Sequence, residues 1–164
     1  MSYEVSKVDK GKRVNFKQPN PDFYEAVGGE DGMRELMYDF YDIIYESDIA
    51  HFFPQDEDEF QEIKEKNTNF FIQICGGPKV YEDEAKGMNL NEYMIRIHDD
   101  FSITEKSRYE WLGCMEEALR KINIDQKLKD DFWDYLEKFS KLTVNSFSDG
   151  STYYAAYTEA SEEK

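Results

Sequence analysis

The chain has 164 residues, a length that suits one domain, and its 36 Asp and Glu against 20 Lys and Arg give a formal net charge of -16. That charge repels phosphate backbones and anionic lipid surfaces, so it argues against nucleic acid and membrane partners and otherwise reads as solubility. An apolar fraction of 40% is modest, but 12 Phe and 12 Tyr supply large side chains for a core.

Residues 1–21 carry Lys7, Lys10, Lys12, Arg13 and Lys17 among few large apolar groups and end in Gln18-Pro19-Asn20-Pro21, which predicts a flexible N-terminal arm outside the packed body. The start lacks an apolar signal core, and no run approaches the roughly 18 apolar residues that span a bilayer, so a cytoplasmic location is expected. Asp22 and Glu25 have capping-box spacing and predict a short helix closing at Gly28-Gly29. The next helix starts near Glu30-Asp31, whose charges suit an N-terminus. Its apolar stripe is Met33, Leu36, Met37, Phe40, Tyr41 and Ile44, at helical spacing throughout. After Phe52-Phe53-Pro54, the period resumes in Phe60, Ile63, Phe70, Phe71 and Ile74, with Asn67 on the same stripe, until Gly76-Gly77-Pro78 ends it.

Residues 79–91 read as a loop around Gly87, followed by a helix of about two turns over Glu92 to His98. Thr104 caps a helix whose face holds Trp111, Cys114, Met115, Ala118, Leu119 and Ile122. Asp125 starts a last, long amphipathic pattern that runs to Phe147, and residues 148–164 form an acidic C-terminal tail. No repeat and no convincing strand is visible, so the domain over 22–147 reads as all-α. Cys75 and Cys114 match no redox or metal spacing and read as buried thiols of a reducing compartment.

Two histidines cannot build an imidazole cluster for a metal. His51 sits in a turn signal and reads as solvated. His98 ends an aromatic, methionine-rich segment and precedes Asp99-Asp100, where a carboxylate could orient its second ring nitrogen. One imidazole on iron is what a haem pocket needs. Taken alone, a lone histidine on an apolar face is more often a satisfied core residue than a ligand, and spacing does not overturn that.

The segments YEAVGG at 24–29, FYDIIYESD at 40–48, FFP at 52–54, NFFIQICGGPKVY at 69–81 and RIHDDFSITEKSRYEWLGCMEEAL at 96–119 occur in order, with His98 thirteen positions before Trp111. Together they resemble the truncated haemoglobins, specifically the group II branch, over roughly residues 22–147. The resemblance implies a globin-like two-over-two helical sandwich enclosing one haem b. It makes His98 the proximal ligand and sole metal-binding residue, Phe53 the ring stacked on the haem face, and Tyr41 and Trp111 the distal donors. Asn67 and Ile63 take distal positions, and Phe70, Phe71, Tyr81, Met94, Phe101, Ile103 and Met115 join the haem-binding set. Arg96, with Lys79 or Lys86 in the preceding loop, is a candidate for the haem propionates through charge-assisted hydrogen bonds. The chain departs from the family where the usual Gly-His-Pro appears as Gly87-Met88-Asn89, and in longer stretches between Phe53 and Ile63 and between Pro78 and His98.

The implied function is binding of a diatomic gas (oxygen, nitric oxide or carbon monoxide), since a phenol O–H and an indole N–H both donate to negative charge on a bound ligand. The same donors serve a nitric oxide dioxygenase or a peroxidase-like enzyme, the former needing a reductase partner that the sequence does not name. The competing class is a haem-free helical regulatory module, in which the aromatic stripes form only a core.

Overall fold

The computed structural model describes residues 1–155 and 162–163, and within them seven α-helices carry the core. These are α1 (Asp22–Ala26), α2 (Gly29–Tyr45), α3 (Glu57–Ile74), α4 (Glu82–Ala85), α5 (Leu90–His98), α6 (Glu105–Arg120) and α7 (Gln126–Ser140). The apolar stripe of α2 is buried along its whole length, from Met33 to Ile44. It packs against both α3 and α6, while α7 packs on α6, which gives the two-over-two sandwich. Among the described residues, no helix is long and apolar enough to cross a membrane.

Capping residues set most of the helix starts. Asp56 accepts the N–H of Glu59 at 3.0 Å, and Asn89 that of Glu92 at 3.1 Å. Thr104 and Ser107 form a reciprocal capping box. Asp125 accepts the N–H of Lys127 at 3.0 Å. The corner between α1 and α2 needs glycine: Gly28 has φ of 111°, and a Cβ on Gly32 would lie 1.9 Å from the Val27 carbonyl oxygen.

Several boundaries differ from the sequence reading. The Asp22 and Glu25 capping box does not form; Asp22 is already helical, and its N–H donates to the Asn20 side chain at 3.0 Å. The 79–91 loop contains α4, one turn long and closed by Lys86 and Gly87 in the left-handed region, and α5 starts earlier, at Leu90. The last helix ends at Ser140 rather than Phe147, because a 3₁₀ turn at Lys141–Thr143 follows and Val144 is extended. There the Thr143 hydroxyl takes the Ser140 carbonyl at 2.7 Å. Two short strand pairings were also unforeseen: β1 (Phe16–Lys17) runs parallel to β2 (Glu162–Glu163), and Ser146 bridges Thr152 antiparallel. Pairs this short leave no alternation to read. Residues 156–161 and 164 of the acidic tail lie outside the described residues.

Residues 1–21 lie along α6 and α7. Phe16 is 1% exposed and meets Tyr135 and Phe139 edge-on at 6.0 and 5.6 Å, a core contact where the sequence reading placed none. Tyr3 stacks on Trp133 at 4.4 Å. One carboxylate oxygen of Glu116 accepts the Ser2 N–H, the Ser2 hydroxyl and the Tyr3 N–H at 2.7–2.8 Å. Glu137 accepts the N–H and hydroxyl of Ser6 at 2.9 and 2.7 Å, and Glu105 accepts the Val8 N–H. Burial alone would raise both Glu116 and Glu137, but these hydrogen bonds, with the charges of Arg120 and of Lys141 and Arg108, hold each below the usual glutamate range.

Two outcomes follow for stability. Phe16→Ala lowers unfolding free energy by about 3–5 kcal/mol, read as a lower denaturant midpoint at an unchanged slope. Because the folded pKa values of Glu116 and Glu137 are depressed, their stabilisation is fully present above the unperturbed value of 4.5 and is lost as pH falls through the folded values. Urea unfolding of Glu116→Gln and Glu137→Gln at a series of acidic pH values therefore shows a flatter acid limb than the unaltered chain.

Candidate functional site

A cavity of about 440 Å³ opens between the two helix pairs, within the range of about 300–1,000 Å³ usual for cofactor pockets. Tyr41 of α2 and Ile63, Asn67, Phe70 and Phe71 of α3 line one side. Met94, Ile97 and His98 of α5, then Phe101 and Ile103, also line it, while α6 contributes Ser107, Arg108 and Trp111. The turn between α2 and α3 adds Ile49, Phe52, Phe53 and Pro54, and α7 closes the floor with Leu136, Phe139 and Ser140, followed by Thr143.

His98 is the last residue of α5 and its ring faces this cavity. Its Nδ1–H donates to the Met94 carbonyl at 2.6 Å, and since a carbonyl only accepts, the proton sits on Nδ1 and the Nε2 lone pair is left for a ligand. Burial lowers the imidazole pKa, outweighing the Met94 bond and the charge of Asp99, so the ring is held towards its neutral form. The orienting group is thus a backbone carbonyl one turn back rather than the carboxylate of Asp99 or Asp100.

Burial raises the Tyr41 phenol, with the nearby Asn67 amide opposing, so Tyr41 stays protonated as a donor. Asn67 is half-buried rather than fully enclosed, and its amide lines the cavity instead of being sealed in the core. The aromatic walls brace one another: Phe53 meets Tyr41 edge-on at 6.0 Å, Trp111 meets Phe40 at 5.4 Å, and Phe70 meets Phe71 at 5.1 Å. Among the described residues, the Trp111 indole N–H has no hydrogen-bond partner within the chain, and its side chain lines the cavity.

Four of the anticipated residues stand elsewhere. Tyr81 is one layer back, edge-on to Phe70 at 5.6 Å, and Met115 is fully buried in the core. Arg96 is exposed and pairs with Glu92 at 2.8 Å, and Lys79 pairs with Glu82 at 3.7 Å, neither of them on the cavity. Conversely, Arg108 was missed. Its guanidinium donates to the Ser140 hydroxyl at 2.8 Å, to the Ser6 carbonyl at 2.9 Å and to the Glu137 carbonyl, and faces the carboxylate of Glu137 at 3.3 Å. Its position three residues before Trp111 put it on the same helix face, a signal available in the sequence.

Among the described residues, no group of three or more His, Cys, Asp or Glu could hold a bare metal ion. A lone neutral imidazole above an aromatic cavity fits instead an iron whose other ligands come from a flat apolar macrocycle, which is the chemistry of haem. The residues present therefore fit that group, and His98, which lines the cavity with Nδ1 engaged, is the residue that would hold it.

Residues 22–145 match the family model of the bacterial-like globins. The group 2 truncated hemoglobin YjbI of Bacillus subtilis is 29% identical over 128 residues, spanning 74% of this chain and 87% of that protein. The group 1 truncated hemoglobin of Tetrahymena pyriformis is 28% identical over 111 residues, or 63% of this chain and 90% of its own. Among solved structures, phosphate-bound Hell's gate globin IV superposes with a TM-score of 0.73 at 25% identity, covering 90% of this chain and 88% of that one. The group II truncated hemoglobin of Bacillus anthracis gives 0.68 at 28% identity, over 77% and 98% of the two chains. The chain belongs to the bacterial-like globin family, among the truncated haemoglobins, with haem b as its cofactor.

Proposed function

We propose that this globin binds oxygen or another diatomic gas at an iron held by His98, and that Tyr41 and Trp111 hydrogen-bond the bound gas. The observation that carries the reading is the Nδ1–H bond from His98 to the Met94 carbonyl, which commits one ring nitrogen and leaves the other to the cavity. When bound, haem would supply the iron at which the gas binds. Phe53, braced against Tyr41 and Phe60, would stack on the macrocycle, and Ile63, which lines the cavity, would stand at the distal entry.

Tyr41 and Trp111 are neutral donors. They would stabilise negative charge that develops on the outer atom of the gas without adding a charge of their own to a largely apolar cavity. Asn67 orients the Tyr41 hydroxyl. On this reading residues 22–147 are the haem domain, flanked by the arm at 1–21 and the tail at 148–164, and the protein works in the cytoplasm; a separate reductase is needed only if the bound gas is turned over.

The test is the absorption spectrum of the haem-reconstituted ferrous protein with and without carbon monoxide. A Soret band that shifts on adding carbon monoxide, and that disappears in His98→Ala, is the expected result; no Soret band after reconstitution overturns the reading. Tyr41→Phe raises the oxygen dissociation rate about tenfold, the equivalent of one charge-assisted hydrogen bond of about 1.5 kcal/mol. An unchanged rate in stopped-flow displacement removes Tyr41 from the distal set.

A further inference from the structure

Asn145 follows α7 by a few residues, far in sequence from α5, and is 2% exposed. All of its polar groups are engaged around the chain that leaves His98. Its Nδ2 donates to the Phe101 carbonyl at 2.8 Å and to the His98 carbonyl at 3.3 Å. Its Oδ1 accepts the Ile103 N–H at 2.9 Å and the Ser146 hydroxyl at 3.0 Å. The Asn145 backbone N–H donates to the Ile103 carbonyl at 3.0 Å, and its own carbonyl accepts the Tyr153 N–H at 3.0 Å.

The geometry assigns Asn145 as the positioning residue for His98, a buried amide that fixes where the backbone of the iron-binding histidine stands; this rests on the reading of His98 as the ligand. The His98 carbonyl is one of the orphan acceptors at a helix C-terminus. It receives only the Phe101 N–H at 3.0 Å from the local turn, and Asn145 supplies the further donor. Two carbonyls and one N–H converge on a single side chain. Only a carboxamide presents two donors and an acceptor together, since a carboxylate would turn an oxygen on both carbonyls and a serine would reach one. The Met94 carbonyl fixes the plane of the ring, whereas Asn145 fixes the height of the helix end that bears it. Two cavity-lining residues flank this clamp, Ile103 bonded to Asn145 and Thr143 two residues before it, so the same side chain sets the distance between the α5 end and the floor of the cavity.

The measurement is the iron–histidine stretching band of the ferrous haem protein by resonance Raman, with transfer of haem to a scavenging apoprotein as the second readout. In Asn145→Asp, which keeps the shape and loses both donors, and in Asn145→Ala, the band moves to lower frequency and haem is lost about 10- to 100-fold faster, the usual cost of removing a group that orients a metal ligand. An unchanged band in haem-binding variants overturns the assignment. A His98→Gly background supplied with free imidazole separates positioning from general disruption, because the ligand is then untethered from the backbone. There Asn145→Asp leaves the iron–imidazole band unmoved if Asn145 acts through the His98 backbone. An equal shift in that background, or a double variant that no longer takes up haem with imidazole, overturns it. A His98→Gly protein that keeps the original band without imidazole instead defeats the reading of His98 as ligand.

Discussion

The donation from His98 Nδ1 to the Met94 carbonyl constrains more of this molecule than any other single contact. It is available because α5 places residues 94 and 98 one turn apart, with the Asn89 cap fixing where that short helix begins. Once Nδ1 is committed, the ring presents one lone pair in one direction. Tyr41, Asn67 and Trp111, held by α2, α3 and α6, line the same cavity as that nitrogen. The α2 stripe does this by packing on α3 and α6 at once, so the core that stabilises the fold also sets the width of the site.

That width has an energetic meaning. Apolar volume inside a protein is worth about 24 cal/mol per Å³, so apolar contacts filling a cavity of about 440 Å³ contribute on the order of 10 kcal/mol. A domain of this size has a total stability of about 5–15 kcal/mol. Cofactor and fold are therefore comparable terms, and the aromatic side chains around the cavity brace one another edge-on instead of closing over it. This is the physical use of the high aromatic content. Rings supported by other rings keep a wall in place where aliphatic side chains would collapse inward.

Much of the frame was legible because it is periodic. The α2 stripe, the Gly76-Gly77 stop, the Thr104 cap and the Asp125 start all stand where spacing and capping chemistry put them. Periodicity identifies a buried face, but it does not say how deep a residue lies. The family resemblance put Tyr81 and Met115 among the haem-binding residues, yet Tyr81 packs behind Phe70 and Met115 is buried in the core, neither of them lining the cavity. The end of α7 was missed because no glycine or proline marks it; side-chain bonds of Thr143 and Asn145 redirect the chain, and such long-range capture leaves no local signature. Phe16 was missed for a related reason, being a single aromatic in a basic, apolar-poor stretch whose burial depends on a groove built by Tyr135 and Phe139.

The acidic composition, read from the sequence as solubility, has a more specific part to play at one place. Glu116, Glu137 and Glu105 each accept backbone N–H groups from residues 2–8, an arm that is otherwise rich in lysine and has little apolar surface with which to pack. Arg108 joins this arrangement to the cavity. One guanidinium reaches Ser6 of the arm, Ser140 of the floor and the Glu137 backbone, three directions that the fork of an arginine supplies and a lysine ammonium on a single stem does not. The carboxylate of Glu137 holds Ser6 from one side while Arg108 holds the same residue from the other. The arm is thus secured by charges whose partners line the cofactor site, and its attachment and the shape of that wall depend on the same few side chains.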